Sequence, residues 1–366
     1  MSDRINVMII DDSASVRTLL SSFIRRDPGL HLWGAANDPL EAIGLLKSGL
    51  PDVVLLDLHM PHMDGLTFLE RLMARHPIPT VVLSSFTRDG STETMRALEL
   101  GAVGVLKKPH VGTEQAREEA AMRIADAVRG AAQTRVARRT RNAVPRAPGD
   151  RHTADVILPA TQEEPPKSAP PLIVIGASTG GTEALSEIFT DLPADLPPIA
   201  LVQHFPPGFT AAFAERLNRE SQLEVFEAYD GAPLGVGQAV VAQGDRHLVL
   251  DRAFPGYRVS VRDGLFVTRH RPSCDVLFRS AAQVAGPAAL GVLLTGMGDD
   301  GATGMGEMLQ AGAHTLAQDQ ASSVVWGMPG VALKRGVAEQ AVPLNRMAHA
   351  ITTWARVRQA EAASNE

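Results

Sequence analysis

The stretch NVMIIDDSASVRTLLSSFI, residues 6–24, sets the architecture of the first part of the chain. Its apolar run VMII does not alternate, and it stops at Asp11 and Asp12; Val16, Leu19, Leu20, Phe23 and Ile24 then recur at helical spacing. An unbroken apolar run suits a strand covered on both faces, and the helical stripe after it supplies one cover. The same alternation returns with DVVLLD (52–57), TVVLSS (80–85) and GVLKKP (104–109), and a last helix is expected at about Thr113 to Gly130. Repeated strand and helix predict an α/β unit over residues 1–130, a five-stranded parallel doubly wound sheet.

Between Ala131 and Pro171 the periodicity dissolves into a Pro-, Ala- and charge-rich stretch, and residues 131–171 read as a flexible linker. Its first half carries Arg135, Arg138, Arg139, Arg141, Arg146 and Arg151. A solvated charge run explains them better than nucleic acid does, because the whole chain of 366 residues has a formal charge of −6. From Leu172 a second βα series begins with LIVI, IALVQH (199–204) and LGVLLTG (290–296). QAVVAQGDRHLVLD (238–251) and YRVSVRDGLFVTR (257–269) alternate about Gly-Asp or Asp-Gly and predict antiparallel hairpin pieces. Residues 172–366 are therefore expected to be a second doubly wound α/β domain with a β-hairpin insertion. Hydrophobic residues at 45% and charged ones at 21% exclude a wholly disordered chain. No apolar run is long enough to span a membrane and the N-terminal residues lack a secretory layout, so no membrane insertion and a cytoplasmic location are expected. The single cysteine, Cys274, excludes internal disulfides.

Asp11 and Asp12 follow the first expected strand and Asp57 ends the third. In an open parallel sheet those ends meet at the ligand crevice, and three carboxylates there call for a cation with a taste for hard oxygen, Mg²⁺. Ser84 and Lys108, at two further strand ends, add a hydroxyl and an ammonium suited to a phosphoryl group. The alternative is that these side chains cap the following helices. IIDDS (9–13), LLDLHMPHMDG (55–65), VVLSS (81–85) and KKP (107–109), in this order, resemble a two-component receiver domain. The resemblance implies Asp57 as phosphoacceptor, Asp11, Asp12 and Asp57 as the Mg²⁺ site, Ser84 and Lys108 as phosphate contacts, and a sensor histidine kinase as donor. Val105 stands where many receivers carry an aromatic switch residue.

In the second domain LIVI leads into GASTGGTEAL (176–185), a serine framed by glycines at a strand-to-helix turn. Such a turn can expose a nucleophilic hydroxyl at a helix N-terminus, and it can equally cradle a nucleotide phosphate. His204 closes the next parallel strand, 26 residues after Ser178, and LLTGMGDDGATGM (293–305) brings Asp299 and Asp300 to a third strand end. A serine, an imidazole and a carboxylate at neighbouring strand ends suit acyl transfer. His247 and His270 are competing bases, ranked lower because they follow hairpin-like segments, and Cys274 lacks a glycine-framed turn. A response regulator with a non-catalytic or nucleotide-binding output domain is the rival reading.

GASTGGTEAL, LVQHFPPGFT (201–210), RPSCDVLF (271–278), LLTGMGDDGATGM and AQDQASSVVWGMP (317–329) resemble the chemotaxis methylesterase family. The resemblance implies Ser178 as nucleophile, His204 as base, Asp300 in preference to Asp299 as its orienting carboxylate, the backbone at Met297 in the oxyanion pocket, and Thr179 in support. It further implies removal of glutamate γ-methyl esters, and deamidation of glutamines, on the cytoplasmic helices of methyl-accepting chemoreceptors, with no cofactor for the esterase reaction. Gln243, where Pro is common, and VALKRG at 331–336 depart from the family's usual wording.

Overall fold

The computed structural model describes residues 4–61, 63–84, 93–94, 96–98, 100–109, 113–133, 152–161, 169–205, 208–253 and 256–364. It divides into two compact units, residues 1–147 and 148–366. In the first, the apolar runs become β1 (Ile5–Ile10), β2 (Leu30–Ala36), β3 (Val53–Asp57), β4 (Thr80–Ser84) and β5 (Gly104–Lys107). All pair in parallel, in the order β2-β1-β3-β4-β5. Val7, Ile9, Val53, Leu55 and Val81 bury one face of this sheet against Leu20, Phe23 and Ile24 of the helix Ala14–Arg26 and Ile124 and Val128 of the helix Glu114–Gln133. The order reverses between β1 and β3, so their carboxyl ends open a crevice. Three helices have caps of their own. Ser13 accepts from Val16 N–H, Asp38 from Leu40 and Glu41 N–H, and Asp64 from Thr67 N–H. Asp11, Asp12 and Asp57 are thus not the capping residues of these helices.

The second unit has a seven-stranded parallel sheet of β6 (Leu172–Ala177), β7 (Ile199–Gln203), β8 (Glu224–Glu227), β10 (Gln238–Val241), β13 (Ala289–Leu293), β14 (His314–Gln318) and β15 (Gln340–Val342). Its order is β15-β14-β13-β6-β7-β10-β8, which reverses between β6 and β13. A separate antiparallel sheet holds β9 (Pro233–Leu234), β11 (His247–Ala253) and β12 (Gly256–Arg262), with β11 and β12 forming the inserted hairpin. The expected hairpin segment at 238–251 is corrected in its first half. Ala239, Val240, Val241 and Ala242 are all buried, and β10 pairs in parallel with β7 and β8. Continuous burial marks a central strand, and the turn at Gly244-Asp245 only leads from it into the hairpin.

Part of the stretch read as linker is folded. Residues 154–156 form a 3-10 turn, and Ala154 is buried with Val249, Val267 and Val276. Arg279, in the helix Cys274–Ala285 and with a side chain only 6% exposed, donates to both Glu307 oxygens (2.7 and 2.6 Å), to Asp155 Oδ1 (2.7 Å) and to Leu158 O (2.9 Å). The short run HTADVILPAT (152–161) carries no periodic signal for such a strap, because its order comes from a partner 121 residues away. Replacing Arg279 by Met removes these bonds, leaves the partly exposed Asp155 and Glu307 carboxylates to water, and will lower stability by about 2 kcal/mol in urea unfolding. An unchanged midpoint would show that the strap is not held by Arg279. The six linker arginines lie outside the described residues. No helix among the described residues is long and apolar enough to cross a membrane.

Candidate functional site

In the first unit Asp11 and Asp57 are fully buried at the β1/β3 crevice and Asp12 is exposed at its mouth. Lys108 Nζ lies 2.6 Å from Asp57 Oδ2 and 3.0 Å from Asp11 Oδ2. Asp57 Oδ1 accepts from His59 N–H at 3.1 Å and Asp11 Oδ1 from Ser13 N–H at 2.9 Å. Burial raises the Asp57 carboxyl against the pull of Lys108. For Lys108, burial works against the charge, but the bonds and charges of Asp57 and Asp11 outweigh it and hold the ammonium above its ordinary range. One ammonium faces two buried carboxylates, and oxygens of Asp11, Asp12 and Asp57 lie within 4.8 Å of one another. That excess of hard anionic donors fits Mg²⁺. Ser84, buried at the end of β4, shares a 3.3 Å hydrogen bond with Thr94. Val105 pairs with Val82 in the β4/β5 ladder and is partly exposed.

In the second unit, three neighbouring strands deliver the three candidate residues to one end of the sheet. Ser178 follows β6, His204 follows β7, and the loop after β13 carries Met297 to Asp300. The backbone ties them side by side: His204 N–H donates to Ala177 O (3.1 Å), Ser178 N–H to Thr295 O (3.0 Å), and Gly181 N–H to Ser178 O (2.8 Å). Gly296 must be glycine here, since a Cβ on it would lie 2.8 Å from Ser178 Cβ. Gly180, at φ 78°, turns the chain into the helix Gly181–Asp191, whose N-terminal dipole lies beside Ser178. Ser178 and Thr179 are partly exposed, as is Met297. Thr179 is tied through its carbonyl, which accepts from Thr295 Oγ1 at 2.9 Å.

His204 Nε2 lies 2.8 Å from Asp300 Oδ2. A carboxylate only accepts, so Nε2 carries the proton and Nδ1 is left as the lone pair; that Nδ1 is buried without a hydrogen-bond partner. Asp300 is fully buried and also accepts from Ser273 Oγ (2.7 Å), Cys274 N–H (2.7 Å) and Asp275 N–H (3.2 Å). Burial disfavours its charge, but the His204 bond, the facing histidines and Ser273 prevail and keep the carboxyl well below the usual range. Asp299 faces Arg335 instead, at 3.4 Å.

Several residues of this site were not singled out from the sequence. Gln203 Nε2 holds Ser178 O at 3.0 Å, from the strand position just before His204. Asp300 caps the helix Cys274–Ala285 from outside, while Asp275 within that helix accepts from Gly304 N–H (2.8 Å) of the helix Ala302–Gln310. Burial and the charge of Asp300 raise the Asp275 carboxyl. Of the two competing bases, His247 Nε2 bonds Leu265 O at 2.9 Å, whereas the His270 ring stacks on His204, centroids 3.8 Å apart and planes 9° apart. One ligand atom from each of His204, His270 and Asp300 lies within 4.8 Å of the others, but His204 Nε2 is engaged by Asp300 and His270 Nδ1 by Thr268 O. Cys274 Sγ lies 3.7 Å from His204 Nε2, but burial first, then Asp300 and Asp275, push its thiol far up, which keeps it protonated and unreactive.

Residues 173–351 match the family model described as CheB methylesterase, and residues 7–119 match that of the response regulator receiver domain. A protein-glutamate methylesterase/protein-glutamine glutaminase of group 3 operon from Cereibacter sphaeroides is 51% identical, over 96% of this chain and 95% of its own length. One of the same description from Rhodopseudomonas palustris is 48% identical, over 97% of this chain and 98% of its own. Among solved structures, the CheB methylesterase catalytic domain of Thermotoga maritima is 34% identical, covers 50% of this chain and 98% of its own, and has a TM-score of 0.49.

Proposed function

The chain belongs to the CheB methylesterase family and carries a response regulator receiver domain, and on that premise we propose that Ser178, His204 and Asp300 perform its chemistry. It is a phosphorylation-regulated protein-glutamate methylesterase and protein-glutamine glutaminase. The observation that carries the residue assignment is the His204 imidazole, proton held on Nε2 by buried Asp300, beside the strand that leads into Ser178. His204 Nδ1 takes the Ser178 proton as Oγ attacks the γ-carbonyl carbon of a methylated glutamate. The oxyanion is met by the N-terminus of the helix Gly181–Asp191 and the Met297 N–H. His204 returns the proton to the departing methoxide, methanol leaves, and water attacks the acyl-serine with the same base, freeing the glutamate carboxylate and Ser178. With a glutamine the same cycle releases ammonia. Thr179 and Thr295 brace the turn. The substrate is a glutamate-bearing helix of a methyl-accepting chemoreceptor, acted on in the cytoplasm, and nucleic acid has no part in it. The esterase cycle draws on these side chains, the backbone N–H groups that meet the oxyanion, and water.

Asp11, Asp12 and Asp57 would hold Mg²⁺, which when bound supplies charge neutralisation for a phosphoryl group. An Asp57 oxygen attacks the phosphorus of a phosphohistidine on a sensor kinase, the N–P bond breaks, and the histidine regains its proton. Lys108 and Ser84 take the phosphoryl oxygens. An Asp57→Asn chain will incorporate no label from an acyl phosphate, and its methanol release will not respond to that donor. Chelating divalent metal will do the same to the unaltered chain. Full labelling of Asp57→Asn would place the phosphoacceptor elsewhere.

A further inference from the structure

We propose that His270 is a positioning residue for His204: its imidazole, stacked on the His204 ring, fixes the plane in which Nε2 meets Asp300 and Nδ1 keeps its lone pair for the Ser178 proton. The proposal rests on the assignment of His204 as base. The Asp300 bond constrains one atom of that ring and leaves rotation about the bond open. A second ring 3.8 Å away and only 9° from parallel closes it. His270 is itself anchored, since its Nδ1–H donates to Thr268 O at 2.8 Å and its backbone exchanges hydrogen bonds with Val267 (3.0 and 2.8 Å).

The segment that aims it is strained. Thr268 at φ 48° and Arg269 at φ 70° are both left-handed without being glycine, a strain that surrounding contacts must offset. Those contacts are present. Thr268 N–H donates to His152 O (3.1 Å), Thr268 Oγ1 to Asp275 Oδ2 (2.8 Å), and Arg271 grips Asp245 Oδ1 (2.6 Å) and the Gly264 carbonyl. A strained turn braced from three elements, whose product is one ring laid flat on the base, points to function more than to packing. Charge fits as well. Desolvation, then the facing His204, push His270 down to about 3, with Asp300 opposing and Arg269 adding to the effect. His270 therefore stays neutral while His204 takes up a proton, and the stack is not broken by repulsion.

The test is methanol release by the full-length chain from receptor fragments bearing glutamate γ-methyl esters, for His270→Ala, His270→Phe, His270→Leu, His204→Ala and the double variant of 204 and 270 to Ala. His270→Ala is expected to lower kcat by about 30–100-fold with KM within about twofold, the scale of a displaced base. His270→Phe restores a flat face and brings kcat back to within about fivefold of the unaltered chain, while His270→Leu, of similar bulk but without that face, stays with Ala. On the His204→Ala background the second substitution has no further effect. A normal kcat in His270→Ala, equal losses for Phe and Leu, or a change confined to KM overturns the positioning role. If alanine unfolds the chain, the contrast of Phe with Leu decides. Turnover surviving in His204→Ala would instead remove the assignment of the base, a result separable from all of these.

Discussion

A Ser178→Ala chain will fold and melt as the unaltered chain does, bind methylated receptor helices, and release methanol at least about 10³-fold more slowly. The fold uses the backbone of Ser178 and not its hydroxyl. Its N–H is held by Thr295 O, and its carbonyl by Gly181 N–H and Gln203 Nε2, all of which alanine keeps. What remains after substitution is an oxyanion pocket and a base without an attacking oxygen. Methanol counted from methyl-labelled receptor checks the rate, and thermal unfolding checks the fold. Turnover within tenfold of the unaltered chain would mean that another group attacks the ester.

Asp300→Asn will be harmful in two separate ways. The carboxylate accepts from four donors, His204 Nε2, Ser273 Oγ, Cys274 N–H and Asp275 N–H. An amide has one acceptor oxygen and its NH₂ can only donate, so at least one buried donor loses its partner. Stability is expected to fall by about 2–4 kcal/mol in denaturant unfolding. Turnover is expected to fall by about 10³–10⁴-fold, because an amide NH₂ facing His204 forces the wrong tautomer. Asp299→Asn, at a position that faces Arg335, serves as the contrast. Equal losses at 299 and 300 would dismiss the role given to Asp300.

The parallel sheets were legible in the sequence because VMII, DVVLLD and LIVI are apolar without alternation, which only doubly covered strands need to be. Ser178 and His204 were legible for the same reason, as each ends such a run. Between Asp299 and Asp300 the local residues do not choose. The choice is made by the N-terminus of a helix that begins at Cys274, a tertiary contact 26 residues back in the chain. QAVV reads as half a hairpin since the Gly-Asp turn after it is a hairpin signal, yet the burial of Ala239, Val240 and Val241 and their parallel pairing assign it to the main sheet. His270 follows a hairpin strand, a position that the sequence pattern sets apart from the parallel strand ends. Its place over His204 depends on two left-handed residues that no propensity announces.

The strap at 152–161 decides where the C-terminal half can be severed from the rest. A fragment begun at Leu172 would bare the apolar patch under Ala154, leave the Arg279 guanidinium short of Asp155 and the Leu158 carbonyl, and free Thr268 N–H from His152 O. Its tendency to clump, and any sluggishness as an enzyme, would then be injuries of the cut and no property of the intact catalytic unit. A fragment begun ahead of His152 keeps its own wall.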